Sequence, residues 1–386
     1  MDRGDPAQDG LDWDDLRCLI DAAGSAGPAM TAVVRRLGPG RVASVLVREL
    51  SERIDERDLI GRDPVTVRFD LAFDRSVVSR TISCGPDGSG NLGRTQPDPQ
   101  VIVEQDLTDL ARGVYGPDAV RHNPTRRLIW QDQTPISSWS EVPHTAPVVQ
   151  CLLSGSAPRR PGLAELMLRR GSDKWGLHFY PEHYDRYLGG LRDSPIVLLE
   201  IGIGGFEVPE VGGGSLRAWS RYFPRGLVCG VDIESKVTVP GQRIRTRCGD
   251  QADADFLHSV VRETGAPDVV IDDGSHRSDD VIATFRTLFP LLRPGGHYVV
   301  EDLQTSYWPR FGGSSTNLTS ARTSMGFLKL LVDGLNHEEV GPSSGRPPAD
   351  TDTWISGVHF HHNLAVVTKG RNEEGSLPYW HPARAE

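Results

Sequence analysis

The stretch Val197-Leu198-Leu199-Glu200-Ile201-Gly202-Ile203-Gly204-Gly205 is an apolar run that carries one acid and ends in a glycine turn. A short apolar run of this kind predicts a buried strand of a parallel sheet. Glycines after such a strand let the backbone turn sharply and approach a ligand closely. Asp232 ends the next apolar run, at Leu227–Asp232. Together these segments predict the first two strands of a nucleotide-type cofactor fold.

The rest of the C-terminal half alternates between strand and helix patterns. Ser215 is the predicted N-cap of a helix that buries Leu216, Trp219 and Phe223. This alternation predicts an α/β fold with a mostly parallel, Rossmann-like sheet covered on both faces. The predicted strands are 196–201, 227–232, 244–247, 268–273 and 297–302, followed by a closing antiparallel pair at 357–362 and 364–368.

The N-terminal half has a different pattern. The segment Val65–Leu71 alternates with period two, as a half-buried strand does, and Val103, Leu107, Leu110 and Val114 have helical spacing. We predict an α+β auxiliary or oligomerisation domain over residues 1–155, a linker around 154–162, and a second domain over 163–386. The Gly/Pro-rich stretches 84–100 and 341–350 are predicted loops.

Composition narrows the class of protein. The 386 residues carry a net charge of −10 with acids and bases intermixed, which argues against a nucleic-acid binder. No apolar run reaches the ~18 residues of a membrane span, and the N-terminus lacks the order of a signal peptide. The five cysteines form no CxxC pair, so they fit a reducing compartment better than disulfides or zinc. We expect a soluble cytoplasmic protein that acts on a small molecule.

The glycine spacing bears on the cofactor. A dinucleotide fingerprint needs G-x-G-x-x-G directly before a helix, whereas here Gly202 and Gly204 are followed by a long loop. A cofactor without phosphates, such as S-adenosylmethionine, places fewer constraints on the glycine spacing of this loop. Glu200 would lie near its amino group or sulfonium, and Asp232 would accept hydrogen bonds from the ribose hydroxyls. Asp250 and Gln251 would flank the adenine.

A second set of polar residues follows the fourth and fifth predicted strands. These are Asp272, Asp273 and His276 after one strand, and Glu301 and Asp302 after the next. Neighbouring carboxylates repel one another unless a cation lies between them, and oxygen ligands favour Mg²⁺, with Mn²⁺ possible. His276 is the candidate general base. The aromatic and glycine-rich stretch 304–324 follows these acids directly and is a candidate lid.

Several further segments belong with the glycine turn and the acids, and the full set is Gly171-Ser172-Asp173-Lys174-Trp175, His178-Phe179-Tyr180, Glu200–Gly205, Gly212–Leu216, Asp272–His276, Glu301-Asp302 and Tyr307-Trp308. In these residues the chain resembles the metal-dependent sugar O-methyltransferases of macrolide biosynthesis.

The resemblance implies a class I S-adenosylmethionine-dependent methyltransferase fold with a seven-stranded sheet, an N-terminal auxiliary domain and a homotetramer. It also implies Mg²⁺ on Asp273, Glu301 and Asp302, with His276 as the base. By the same resemblance, Asp232, Gln251 and Asp272 contact the cofactor, and the motif at 171–175, with Ser172, Lys174 and Trp175, caps its pocket. Gly202, Gly204 and Ser215 complete the candidate cofactor-binding residues.

The leading hypothesis is Mg²⁺-dependent transfer of a methyl group from S-adenosylmethionine to a sugar hydroxyl of a glycosylated natural product. A catechol-type O-methyltransferase that acts on an aromatic diol uses the same metal chemistry and stays open. A nicotinamide-dependent oxidoreductase is disfavoured by the missing third glycine. A non-catalytic scaffold is disfavoured by the intact set of acids and histidine.

Overall fold

The structure, a computed structural model, describes most of the chain. The described residues are 10–25, 28–86, 92, 98–121, 123–131, 145–157, 161–205, 212–235, 239, 241–340, 349–373, 375 and 380. The predicted loops 84–100 and 341–350 lie largely outside these ranges. Within them, no helix is long and apolar enough to cross a membrane.

Eleven helices and eleven strands make up the described regular structure, apart from short 3₁₀ turns. The helices are α1 Trp13–Gly24, α2 Ala29–Leu37, α3 Pro39–Glu52, α4 Leu107–Tyr115, α5 Ala146–Ser154, α6 Leu163–Arg170, α7 Pro181–Leu188, α8 Gly214–Tyr222, α9 Ala254–Thr264, α10 Ser278–Leu288 and α11 Ser324–Leu335. The strands are β1 Val65–Phe73, β2 Ser76–Cys84, β3 Val101–Asp106, β4 Arg127–Trp130, β5 Val197–Ile201, β6 Leu227–Asp232, β7 Ile244–Cys248, β8 Val269–Asp272, β9 His297–Val300, β10 Ile355–His361 and β11 Leu364–Lys369.

The N-terminal half forms a four-stranded sheet of order β2-β1-β3-β4, in which only β1 and β3 run parallel. The predicted strand at Val65–Leu71 is present and extends to Phe73. The prediction that Val103 belongs to a helix is wrong, because Val103 pairs with Phe69 in the middle of β3. The helix begins four residues later at Leu107, where the Asp106 side chain accepts from the N–H groups of Thr108 and Asp109.

The C-terminal half contains the predicted seven-stranded sheet, with strand order β10-β11-β9-β8-β5-β6-β7. The five strands from β5 to β9 run parallel, and β11 is antiparallel to both β9 and β10. The mostly parallel fold and the closing antiparallel pair are therefore confirmed. Strand order reverses between β5 and β8, and ligands of such sheets bind at this point, beyond the carboxyl ends of the strands.

Helix α8 follows the glycine turn and packs under the sheet. Leu216, Trp219 and Phe223 are fully buried, as predicted. The prediction that Ser215 caps this helix is wrong: the N-cap is Gly213, in the left-handed conformation. Ser215 lies in the first turn, and its hydroxyl donates to Glu200 Oε2 at 3.0 Å. The hydroxyl therefore donates a hydrogen bond to a buried carboxylate and does not accept one from a backbone N–H, as a helix cap would.

A buried ion network joins the two halves of the chain. Glu49 on α3 accepts from Arg53 at 2.8 Å and from Arg243, just before β7, at 2.7 Å. Arg53 also donates to the carbonyl of Pro224, and Arg243 to the carbonyls of Phe223 and Gly226. The two arginines lower the pKa of Glu49 to about 2, although burial alone would raise it.

The division into domains at 155 and 163 stays a prediction.

We expect Glu49→Gln to lower the free energy of unfolding at pH 7 by about 3–5 kcal/mol, because it leaves two buried guanidinium groups without their counter-ion. The pKa of Glu49 is depressed, so its contribution is complete above pH 4.5 and is lost as the pH falls towards 2. The difference between wild type and variant should shrink over that window. Urea unfolding measured from pH 7 to pH 3 checks this. The control is Asp74→Asn, which breaks an exposed pair with Arg35 and should cost no more than about 1 kcal/mol.

Candidate active site

A cleft of about 1110 Å³ opens at the carboxyl ends of the parallel strands. Most of the predicted site residues line it, namely Ser172, Lys174, Gly202, Gly204, Ser215, Asp232, Asp250, Gln251, Asp273, His276 and Asp302. Four do not. Glu200, Asp272 and Glu301 are buried behind its wall, and Trp175 stands beside it in edge-to-face contact with Phe179. The strand ends thus bring the predicted cofactor and metal residues into one cleft.

The glycine turn is packed directly against the loop after β8. Gly202 has φ +89°, and a Cβ built on it would lie 2.0 Å from the carbonyl oxygen of Asp273. Gly204 also has a positive φ, of +74°, but a Cβ there would meet nothing within 4 Å. Glycine at 202 is therefore required by both the dihedral angle and the close backbone contact. This contact fixes the distance between the cofactor turn and Asp273.

Asp232 at the end of β6 is fixed by its own neighbours. Its carboxylate accepts from the N–H of Ile203 at 2.9 Å and from the N–H of Glu234 at 2.9 Å. These bonds hold the side chain at the edge of the cleft beside the glycine turn. Asp250 is exposed at the end of the next strand, and Gln251 follows it.

Gln251 ties two loops together. Its Oε1 accepts from the N–H of Ser275 at 2.7 Å, and its Nε2 donates to Asp272 Oδ1 at 3.2 Å. Asp272 also accepts from the buried Tyr298 hydroxyl, at 3.3 Å. Burial raises the pKa of Asp272 to about 7. The structure therefore places Asp272 as an anchor for Gln251 behind the cleft, and no sequence signal pointed to Tyr298.

Lys174 lies between the carboxylates of three strands. Its Nζ is 2.6 Å from Asp273 Oδ2, 2.7 Å from Glu301 Oε1 and 3.3 Å from Glu200 Oε1. The side chain is 1% exposed, so water does not screen these charges. Burial alone would lower the pKa of Lys174, but the three acids outweigh it and raise that pKa well above its ordinary value. Lys174 is thus a buried counter-ion whose partners the sequence did not reveal.

Glu200 is fully buried and faces Lys174 and Ser215. Burial raises its pKa to about 7, against the opposing attraction of Lys174. It was predicted to approach the amino group or sulfonium of the cofactor. The structure places its side chain behind the cleft wall, so its effect on a ligand there passes through Lys174 and Ser215.

Three potential metal ligands converge on the open side of Lys174. Asp273 Oδ1 lies 3.9 Å and Asp302 Oδ2 3.8 Å from His276 Nε2. The described part of the chain holds one group of at least three acid, histidine or cysteine side chains with ligand atoms within 4.8 Å of one another, and it is this one. His276 and Asp302 both have left-handed backbone, with φ of 57° and 52°. Such conformations are uncommon for these residues and cluster at functional sites.

Glu301 lies outside that group. Its Oε1 accepts from Lys174 and from the hydroxyl of the buried Tyr184. Burial and the neighbouring Asp273 raise its pKa well above the ordinary value. Sequence reasoning missed Tyr184, although it stands one helical turn after Tyr180, whose hydroxyl donates to Asp302 Oδ1 at 2.7 Å. Two tyrosines on consecutive turns of the same segment therefore hold consecutive acids.

Apolar side chains surround the mouth of the cleft. Leu177, Trp308 and Phe311 line it, and Leu177 and Trp308 are 73% and 49% exposed. Phe179 is also exposed, next to Trp175. Trp308 and Phe311 belong to the predicted lid stretch. An exposed apolar rim around a polar floor indicates a ligand with an apolar part as well as polar groups.

Comparison with known proteins identifies relatives over nearly the whole chain. Residues 16–126 match the family model described as the MycE methyltransferase N-terminal domain. An 8-demethyl-8-alpha-L-rhamnosyl tetracenomycin-C 2'-O-methyltransferase of Streptomyces olivaceus is 44% identical over 92% of this chain and 95% of its own. Demethylmacrocin O-methyltransferase of Streptomyces fradiae is 39% identical over 95% and 94%. The chain belongs to the antibiotic sugar O-methyltransferases.

Solved structures of this family agree with the fold. The MycE methyltransferase of the mycinamycin biosynthetic pathway, in complex with Mg and SAH, matches with a TM-score of 0.85 and 35% identity, over 96% of both chains. A crystal of MycE with Mg, SAH and mycinamycin VI matches equally well in TM-score. The resemblance read from the sequence is confirmed, and so are the class I methyltransferase fold and the activity of an S-adenosylmethionine-dependent O-methyltransferase. The oxidoreductase alternative is wrong.

Gly202→Ala and Gly204→Ala form a matched pair of substitutions. Both place a Cβ on a left-handed backbone, which costs about 1–2 kcal/mol. Only the first forces that Cβ into the Asp273 carbonyl. We expect Gly204→Ala to fold with a modest loss of stability and Gly202→Ala to lose several kcal/mol more or to fail to fold. Thermal unfolding monitored by circular dichroism measures both, and equal losses would contradict the proposed backbone contact.

Lys174→Met is expected to cost about 3–5 kcal/mol in the free energy of unfolding, because three buried acids lose their shared counter-ion. Urea unfolding in EDTA measures this without a contribution from metal. Lys329→Met is the control, because Lys329 is exposed and its Nζ donates to the Leu318 carbonyl, its one hydrogen-bond partner among the described residues. Its removal should change stability by no more than about 0.5 kcal/mol. A Lys174 variant as stable as the control would contradict the role of counter-ion.

Proposed function

We propose that this protein transfers a methyl group from S-adenosylmethionine to a sugar hydroxyl of a glycosylated natural product, with Mg²⁺ as the required cation. The observation that carries the proposal is the convergence of Asp273, His276 and Asp302 in the same cleft as Asp232 and the glycine turn. One end of the cleft is suited to a nucleoside and the other to a cation beside a base.

The side chains fit a hard cation. Asp273 Oδ1 and Asp302 Oδ2 offer oxygen ligands on one side of His276, and Mg²⁺ prefers a few carboxylates with several open positions. We propose Asp273, Glu301 and Asp302 as the residues that hold it. Glu301 is included because its Oε1 and Asp273 Oδ2 both contact Lys174 Nζ, so the two carboxylates are neighbours. When bound, the cation lowers the pKa of a hydroxyl that coordinates it.

His276 is the proposed general base. A sugar hydroxyl is a poor nucleophile until it loses its proton, and His276 Nε2 faces the space between Asp273 and Asp302 in which the hydroxyl would lie. The left-handed backbone of His276 turns its ring towards this space.

The chain would position the methyl donor at the other end of the cleft. Asp232 has lone pairs available for two ribose hydroxyls beyond the two N–H groups that it already accepts from. Gly202 and Gly204 let the backbone approach the amino acid part of the cofactor. Holding donor and acceptor in line removes much of the entropic cost of their encounter.

The acceptor is proposed to be a sugar that carries an apolar aglycone. The named relatives act on a rhamnosyl tetracenomycin and on demethylmacrocin. The rim residues Leu177, Trp308 and Phe311 fit an apolar aglycone while the sugar reaches the acids below. No feature of the cleft favours a catechol over a sugar diol, and the relatives favour the sugar.

We also propose the homotetramer and the cytoplasmic location predicted from the sequence. All five cysteines are unpaired, which fits a reducing compartment. Mass photometry of the purified protein tests the tetramer.

Asp273→Asn and His276→Ala should separate metal binding from proton transfer. We expect both to lose at least about 100-fold in methylation of a rhamnosylated aromatic polyketide or a macrolide glycoside. Only Asp273→Asn should weaken Mn²⁺ binding, measured by electron paramagnetic resonance, by tenfold or more. EDTA should abolish turnover, and added Mg²⁺ should restore it.

Full activity in EDTA would contradict the role of the metal. Equal loss of Mn²⁺ binding in the two variants would make His276 a ligand instead of the base. Methylation of a simple catechol in preference to both glycosides would contradict the sugar acceptor.

A further inference from the structure

A second cavity, of about 280 Å³, lies between the two halves of the chain. Its walls are the end of α3, the outer face of α8 and the start of β7. Arginine dominates the lining: the charged residues are Arg53, Arg170, Arg217, Arg221 and Arg243, with Glu49 and Glu52. None of these residues holds the cofactor or the metal in the proposed mechanism.

Glu49 and Glu52 are the acids among the described residues that line this cavity. Glu49 is already paired with Arg53 and Arg243. Burial and the neighbouring Glu49 raise the pKa of Glu52 to about 7, so Glu52 carries only part of a negative charge near neutral pH. Within the part of the chain that the structure describes, Arg170 and Arg221 therefore face the cavity without a paired acid.

Arg221 stands out among them. Among the described residues no carboxylate lies within 4 Å of Arg221 or Arg170, and Arg221 makes no hydrogen bond. Arg170 donates to the carbonyl of Ile54, at 3.2 Å, and to no other residue of the described ranges. Burial, followed by the charge of Arg53, lowers the pKa of Arg221 to about 9. A partly buried guanidinium without a counter-ion is costly, and an anion would remove that cost.

We propose that this cavity binds one tetrahedral oxyanion, such as inorganic phosphate or sulfate. Guanidinium groups bind such oxyanions through paired N–H donors, and Arg170 and Arg221 come from two different helices, α6 and α8. The volume lies just below that of pockets for drug-sized ligands, which begin at about 300 Å³. An oxyanion here would lie between α3 of the N-terminal half and α8 of the C-terminal half, and would stabilise their contact.

The proposal does not depend on methyl transfer. Arg170 and Arg217 also line the cofactor cleft, so the anion would lie behind the cleft wall, apart from Asp273 and His276. A failed methylation assay would leave the anion site untouched, and a failed anion titration would leave the proposed function untouched.

The test is thermal unfolding of the full chain, saturated with S-adenosylhomocysteine so that the cleft is filled. Sodium phosphate and sodium sulfate are each titrated from zero to 50 mM, about the range for a weak oxyanion site, against sodium chloride at equal ionic strength. Each oxyanion should raise the melting temperature in a saturable way, by about 2–4 °C, whereas chloride should not. Isothermal titration calorimetry with phosphate gives the affinity and a stoichiometry of one per chain.

Arg221→Gln should abolish the saturable shift or weaken binding at least tenfold. Glu52→Gln should tighten binding, since it removes the remaining negative charge of the cavity while keeping an acceptor for the Gln242 N–H. Arg35→Gln is the matched control, because Arg35 is exposed and paired with Asp74; it should keep the full shift.

Three results would overturn the proposal. The first is an equal shift with chloride, and the second is an undiminished shift in Arg221→Gln together with no gain in Glu52→Gln. The third is binding of pyrophosphate ten times tighter than phosphate, which would mean a larger ligand than a single oxyanion. Glu52→Gln keeps the test decisive even if Arg221→Gln fails to fold, because unchanged phosphate affinity in that variant contradicts an anion within this cavity.

Discussion

A single ammonium group, Lys174 Nζ, holds the carboxylates of three strands together. Glu200 lies near the end of β5, and Asp273 and Glu301 directly follow β8 and β9. Glu200 and Glu301 are buried, and only Asp273 is partly exposed to water. Without a cation among them these acids would repel one another in a medium that screens charge poorly. Because Lys174 takes Asp273 Oδ2, the other oxygen of that carboxylate is left facing His276 and Asp302. The side of the site that is open to a metal ion thus depends on the buried contacts that Lys174 makes on the other side.

Direct contacts link the glycine turn after β5 to the loop after β8. The absent side chain of Gly202 lets the backbone of Asp273 touch the turn, and Gln251 links the loop after β7 to that after β8. The tyrosines at 180 and 184 then fix Asp302 and Glu301 from the opposite side. Methyl transfer needs the acceptor oxygen, the methyl carbon and the sulfur in one line, and sites whose side chains are held by such supporting contacts keep that alignment best.

Much of the fold could be predicted because its signals are local. Apolar runs ending in acids gave the strands of the parallel sheet to within two residues, and a sheet of this type brings strand ends together by necessity. The failures were residues whose partners are distant in sequence. Ser215 was predicted to cap a helix, but its hydroxyl donates a hydrogen bond to Glu200. Val103 has helical spacing, but it lies in a strand and pairs with Phe69. The contacts of Lys174 with Asp273 and Glu301 span 99 and 127 positions, so no periodicity could reveal them. Tyr184, Tyr298 and the network around Glu49 were missed for the same reason.

The ion network around Glu49 limits which halves of related chains can be combined. Its acid lies in the N-terminal half and one of its arginines, Arg243, lies in the C-terminal half, both almost fully buried. A chimera that combined one half of this protein with the other half of a relative would lose the pairing of Glu49 with Arg243, unless the relative carried the complementary charge. The junction between the halves is therefore a second place, apart from the cleft, at which the two parts of this chain must match.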